Sequence, residues 1–219
     1  MQWLVGKLRF LFFLLIVRPV MLVMLGFNVR GYERLPKQRP LLVVANHNSH
    51  LDALALMTLF GMRRLKYVQP VAAADYFLSN RLLAWFATNI IGIIPVHRGV
   101  QGVHDEREHP LAPISEAIDN GQIVILFPEG SRGEPEILDR FKTGIIHIVK
   151  RHPDLLVSPI FMHGLGKSLP RGEALLVPFV CDLFIGEPLK WTGNRKGFMD
   201  ELNGTMQSLA DEAGVPSWD

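Results

Sequence analysis

His47 and Asp52 stand five residues apart in Ala45-Asn-His-Asn-Ser-His-Leu-Asp52, a polar cluster wedged between two apolar runs. On a continuous helix that spacing turns the chain by about 500°, which leaves the two side chains about 140° apart and out of reach. They meet only if His47 lies on a loop and Asp52 opens the helix that follows, a position that suits aspartate. The carboxylate would then accept the Nδ1 proton, fix the tautomer, leave Nε2 to take a proton and stabilise the imidazolium that forms. A nearby hydroxyl would become a nucleophile. On spacing alone, two ordinary polar residues of a strand–helix loop are an equally good reading.

The elements that must position this pair are legible as periodicity. Leu41–Ala45 is a short apolar run with strand character, and similar runs occur at 67–73, 90–96, 122–127, 156–162 and 174–180. Helical patterns fall between and after them, at about 52–60, 78–89, 112–120, 141–150 and 197–212. The alternation predicts an α/β domain with a mostly parallel central sheet flanked by helices. In such a sheet, function collects beyond the carboxyl ends of the strands. Two further strand ends carry suitable residues. Gly92-Ile-Ile-Pro-Val-His-Arg98 delivers an arginine able to grip a phosphate through a bidentate fork. Phe127-Pro-Glu-Gly-Ser-Arg-Gly133 puts Glu129, Gly130, Ser131 and Arg132 into a glycine-bearing turn that can expose backbone N–H groups as an anion cradle. Each alone is commonplace: an arginine after a strand is usually a surface charge, and Pro-Glu-Gly is an ordinary turn.

With 219 residues and a net charge of +2, the chain has room for one domain with a large core and a small appendage. A hydrophobic content of 48% is high for a soluble protein and low for a polytopic membrane protein. The lone cysteine, Cys181, excludes an internal disulfide framework and points to a reducing setting, with the residue itself in the core. Phe10–Val17 and Val20–Phe27 are apolar runs split by Arg18-Pro19, each too short to span a bilayer. A bent helical pair lying in one leaflet is predicted over residues 1–30, preceding the α/β domain at 31–219, and its removal is expected to leave that domain folded. Lys7, Arg9, Arg18, Arg30, Arg34, Lys37 and Arg39 against Glu33 favour an anionic membrane surface. A cleaved signal peptide lacks its small-residue cleavage site, and a buried core hairpin is the other competing reading. The eight histidines are scattered, so no metal site is expected. Nor is a nucleic-acid partner.

Taken in order, Asn46-His-Asn-Ser-His-Leu-Asp52, Gly92-Ile-Ile-Pro-Val-His-Arg98 and Phe127-Pro-Glu-Gly-Ser-Arg-Gly133 resemble the lysophosphatidic acid acyltransferase family, the glycerolipid acyltransferases with a His-x4-Asp motif. The resemblance runs from about Asn28 to Glu187, takes in Phe141-Lys-Thr-Gly144 and Val157-Ser-Pro-Ile160, and extends to that family's interfacial two-helix anchor. It implies a single glycerolipid-acyltransferase-like domain behind a helical membrane anchor; the compact single-domain form and the basic N-terminus point to the cytoplasmic face of a bacterial inner membrane. His47 would be the general base and Asp52 its orienter. The acceptor hydroxyl of a lysophospholipid would attack the thioester of acyl-CoA or acyl-acyl-carrier-protein directly, with no acyl-enzyme and no cofactor beyond that donor. Arg98 and Arg132 would bind the acceptor's phosphate, Glu129, Gly130 and Ser131 would shape the glycerol site, and Lys142 would add a phosphate contact. Backbone N–H groups near the Asn46–His50 loop would stabilise the oxyanion. Ser131 stands where threonine is commoner, and Gly164–Gly172 has no obvious counterpart in the family, which leaves the acceptor open. Alternatives are another lyso-lipid such as a lyso-ornithine lipid, a transacylase, a metal-dependent phosphohydrolase or a non-catalytic membrane-binding protein. His50 as base lacks the family spacing, and a serine nucleophile at Ser49 or Ser131 lacks a Gly-x-Ser-x-Gly context.

Overall fold

Leu41–Ala45 is buried along its whole length, and its alternate residues face two separate cores. A strand covered on both faces belongs at the centre of an α/β sheet. The computed structural model describes residues 2–24, 26–49, 51–77, 80–97, 110–130, 138, 141–165 and 180–214. Their strands are β1 Phe27–Arg30, β2 Leu41–Ala45, β3 Val68–Ala73, β4 Ile94–Val96, β5 Ile123–Leu126, β6 Leu156–His163 and β7 Cys181–Ile185. They form one sheet in the order β1-β7-β6-β2-β5-β3-β4. The run from β6 to β4 is parallel throughout. β7 joins β6 antiparallel and β1 lies parallel to β7, so two reversed strands close one edge.

The α-helices are α1 Gln2–Phe12, α2 Asp52–Leu59, α3 Gly61–Arg64, α4 Ala74–Phe77, α5 Arg81–Phe86, α6 Ala112–Asp119, α7 Ile145–Arg151 and α8 Arg195–Glu212. Leu41, Val43 and Ala45 of β2 pack with α2 and the N-terminal helix on one face of the sheet. Leu42 and Val44 pack with α6, α7 and α8 on the other. Asn194 starts α8, its Oδ1 accepting the Lys196 and Gly197 amides at 2.9 and 3.3 Å, and Asn80 starts α5 in the same way.

Several expectations shift. Of the strand expected at 90–96, only Ile94–Val96 is strand; Ala87–Ile91 continues the helix from α5 and stops at Gly92, whose φ is +76°. The isoleucine run mimics a strand, but Ala87 and Ile90 bury at helical spacing. The strand expected at 174–180 falls on residues outside those described, except Val180, and the sheet takes up the chain again at Cys181. β1 falls in residues that the sequence pattern assigns to the membrane anchor.

The N-terminal segment is helical from Gln2 to Met24, wound more widely over Phe13–Val17 and Val20–Met24. Phe13, Val17 and Met21, four residues apart, bury one side of it in the β2 core. Arg9 follows it inward: its Nη2 donates to the Val68 carbonyl at 2.7 Å, and burial lowers its pKa to about 10. Gly92 makes room, since a Cβ there would lie 2.5 Å from Arg9 Nη1. Arg34 bonds the Ile185 carbonyl and pairs with Glu187, while Arg39 bonds the Gly121 carbonyl and stacks on Tyr67. Three of the seven basic residues read as facing a leaflet are therefore ties within the fold. Removal of residues 1–30, expected to leave the domain folded, would uncover this core. Among the described residues no helix is long and apolar enough to cross a membrane.

Candidate active site

The loop after β2 leaves the sheet between the carboxyl ends of β5 and β6, at its centre. Asn46 anchors it. Its buried amide accepts the Met162 N–H at 2.7 Å and donates to the Met162 carbonyl at 2.9 Å, prolonging the β2–β6 ladder by one side chain. The next residue, His47, emerges from the core with its side chain 24% exposed.

Asp52, the first residue of α2, does not cap its own helix. Its fully buried carboxylate reaches back, and Oδ2 accepts three N–H groups: His47 Nδ1 at 2.9 Å, the Asn48 amide at 2.6 Å and the Ser49 amide at 2.8 Å. One oxygen thus sets both the curl of the loop and the orientation of the ring. Because Oδ2 is an acceptor, Nδ1 carries the proton, which leaves Nε2 as the basic nitrogen. Phe127, at the exit of β5, stacks on the imidazole with centroids 4.3 Å apart and planes at 19°. The ring is held in its plane by a face and in its rotation by a hydrogen bond.

Glu129 lies in the turn after β5 and is buried; its Oε2 accepts the His47 backbone N–H at 3.3 Å. The carboxylate therefore ties the β5 turn to the loop that carries His47. Gly130 follows with φ +75°, and a Cβ there would lie 2.6 Å from Lys142 Nζ. Lys142 is held beside it by its own amide, which donates to the Pro128 carbonyl at 3.0 Å, and its exposed ammonium lies over the glycine. A cation, a bare backbone and an imidazole paired with a carboxylate thus converge at one end of the sheet. Arg98, Ser131 and Arg132 lie outside the described residues, as does His50. β4, which leads to Arg98, ends at the same edge of the sheet as β2 and β5.

One expectation and one rejected rival meet obstacles. The His47, Asn48 and Ser49 amides, candidates for an oxyanion hole, are taken by Glu129 and Asp52. Ser49, the described rival nucleophile, is buried and its Oγ accepts the Leu51 N–H at 3.3 Å. Among the described residues, no three His, Cys, Asp or Glu side chains gather as metal ligands. Phe127 and Asn46 were missed as site-building residues. The signal was present for Phe127, an aromatic at the exit of a strand adjacent to β2. For Asn46 it lay in a partner 116 positions away.

A family model described as Acyltransferase matches residues 26–163, which holds β1 to β6 and the whole of this constellation. The chain belongs to the Acyltransferase family. It is 30% identical over 149 residues to a chloroplast 1-acyl-sn-glycerol-3-phosphate acyltransferase of Arabidopsis thaliana, covering 67% of this chain and 38% of the plant protein. It is also 30% identical over 129 residues to the lyso-ornithine lipid O-acyltransferase of Rhizobium meliloti, covering 56% of this chain and 38% of that one. The chain thus spans about two fifths of the length of these relatives. The fold matches the crystal structure of the 1-acyl-sn-glycerophosphate acyltransferase of Thermotoga maritima, with a TM-score of 0.70 at 20% identity over 96% of this chain and 81% of that one. The α/β acyltransferase architecture, mostly parallel and flanked by helices, is therefore common to both.

Proposed function

We propose that this acyltransferase-family chain moves a fatty acyl group from acyl-CoA or acyl-acyl-carrier-protein to the free hydroxyl of a lysophospholipid, with 1-acyl-sn-glycerol-3-phosphate as acceptor and phosphatidic acid as product. The observation that carries the reading is the 2.9 Å bond from His47 Nδ1 to a buried Asp52 on a half-open loop. His47 Nε2 takes the proton of the acceptor hydroxyl as its oxygen attacks the thioester carbon, and the carbonyl π pair moves onto oxygen. Collapse of the tetrahedral intermediate re-forms the carbonyl and breaks the C–S bond; the leaving sulfur takes the proton back from the imidazolium. Direct transfer agrees with a Ser49 hydroxyl buried and engaged by an amide. General-base catalysis supplies about 10²- to 10⁴-fold, and the rest falls to positioning and oxyanion stabilisation. With the loop amides engaged, the oxyanion donors come from elsewhere.

Lys142 over Gly130 supports an acceptor phosphate at this end of the sheet, and Arg98, Ser131 and Arg132 are assigned to the same headgroup by resemblance. Glu129 and Gly130 shape the glycerol subsite. The N-terminal helix keeps an outward apolar side, with Trp3, Leu8, Leu11 and Leu15 exposed, which supports contact with the lipid surface where such an acceptor resides. The helical segment up to Met24 acts as an interfacial anchor docked on the rest of the domain, at the cytoplasmic face of the membrane. The Rhizobium relative favours one other acceptor, a lyso-ornithine lipid. Purified protein offered each lyso-lipid with each donor, with products resolved by mass spectrometry, is expected to form phosphatidic acid from lysophosphatidic acid most efficiently. Preference for the lyso-ornithine lipid would replace the acceptor, and no acylation of any hydroxyl acceptor would refute the reading.

A further inference from the structure

The N-terminal helix is not alone in presenting large apolar side chains outward. On α5, Leu82 is 80% exposed and Trp85 48% exposed. Three residues apart, they share one side of that helix. Tyr76, on α4 just before it, is exposed as well. The opposite side of the same helical run is buried at Ala87 and Ile90. Here α5 lies against the N-terminal helix, where Phe12 and Phe86 meet edge to face at 5.2 Å and Arg9 fits over Gly92 further along. The two elements that carry outward apolar side chains are therefore packed neighbours.

We infer that Tyr76, Leu82 and Trp85 form a second bilayer-contacting element, which with the outward side of the N-terminal helix makes one interfacial surface. The inference rests on the proposed membrane contact of that helix. Three features favour a lipid surface over a protein partner. Leucine is flanked by Trp85 and Tyr76, amphipathic rings of the kind that settle at headgroup depth, and Trp3 repeats the pattern on the neighbouring helix. An exposed Arg81 adjoins Leu82, where a cation meets anionic headgroups. The apolar side is also short. Past Trp85, the outward positions turn to Thr88 and Asn89, whose polar groups bond back to the Ala84 and Trp85 carbonyls. Contact is thus confined to α5 and leaves out its continuation at Ala87–Ile91, and α4 starts directly at the carboxyl end of β3, the end of the sheet that holds His47. A lipid acceptor would leave the bilayer beside the site.

The test reads each element separately. One variant, Trp3→Phe with Trp191→Phe and Trp218→Phe, leaves Trp85 as the sole tryptophan; a second, with Trp85, Trp191 and Trp218 changed to Phe, leaves Trp3. Each is mixed with phosphatidylcholine–phosphatidylglycerol vesicles carrying brominated acyl chains, and its fluorescence quenching is measured. Quenching of both reporters is expected. Quenching of Trp3 alone would overturn the inference and keep the helical anchor, while quenching of neither would overturn the membrane reading as well. Leu82→Ser with Trp85→Ser is expected to weaken vesicle binding roughly ten- to a hundredfold, while acyl transfer to a short-chain, water-soluble acceptor stays unchanged. A lipid-free dimer broken by that same pair would assign the surface to a second copy and overturn the inference.

Discussion

Asp52→Asn separates what this carboxylate does for the loop from what it does for the base. In the wild type one oxygen accepts the Asn48 and Ser49 amides and His47 Nδ1, so three contacts depend on it. An asparagine oxygen in the same place still accepts both amides, but as neutral bonds rather than charge-assisted ones, a loss of about 1 kcal/mol each. Stability should therefore fall by about 2 kcal/mol, with the fold intact. Activity should fall much further, because a neutral amide no longer stabilises the imidazolium that forms as the acceptor loses its proton. The expected drop in kcat/KM is about 10²- to 10⁴-fold, or about 3–5 kcal/mol of transition-state stabilisation. Asp52→Ala, by contrast, strands both amides in a buried site and should cost more stability than Asp52→Asn. Urea unfolding midpoints and thiol-release kinetics on the same preparations give both numbers. Near-wild-type kcat/KM in a folded Asp52→Asn protein would refute the orienting role.

Phe127→Leu removes the ring face that rests on His47 at 4.3 Å and should lower kcat about three- to tenfold with little change in KM for the donor, read from steady-state kinetics. Gly130→Ala puts a Cβ into a left-handed residue and against Lys142 Nζ. It should raise KM for the phosphate-bearing acceptor more than it lowers kcat, at a stability cost of about 1 kcal/mol seen in thermal melts. Deleting residues 1–24 uncovers the core at Phe13, Val17 and Met21, each worth about 1.5–3 kcal/mol buried. The truncated chain should melt far lower or aggregate, checked by circular dichroism and size-exclusion chromatography.

The His47–Asp52 pairing was legible because its signal is local: an apolar strand stops, polar side chains crowd one loop, and a helix begins at a carboxylate. The alternation of strands and helices likewise announced a parallel sheet, since each element carries its own period. What was hidden depends on partners distant in sequence. Asn46 closes on Met162, Arg9 on Val68 and Phe127 on His47, and none of these pairings leaves a trace at the residue itself. Arg9 and Arg39 look like surface charges because charge, in sequence, does not show direction. The isoleucines near Gly92 misled for another reason: β-branched residues favour strands locally, yet burial of Ala87 and Ile90 at helical spacing decided the outcome. The loop amides were misread because sequence shows that backbone donors exist and not that side-chain carboxylates have already claimed them.

The most direct measurement is thiol release from oleoyl-CoA with and without lysophosphatidic acid, comparing the wild type with His47→Ala. Loss of the base leaves Asn46, Asp52 and Glu129 in place, so the variant should fold and be tested as a folded protein. The account predicts acceptor-dependent release by the wild type and a drop of at least about a hundredfold in the variant. Equal acceptor-dependent release by both proteins would contradict it, because the proton would then be taken by a group other than His47.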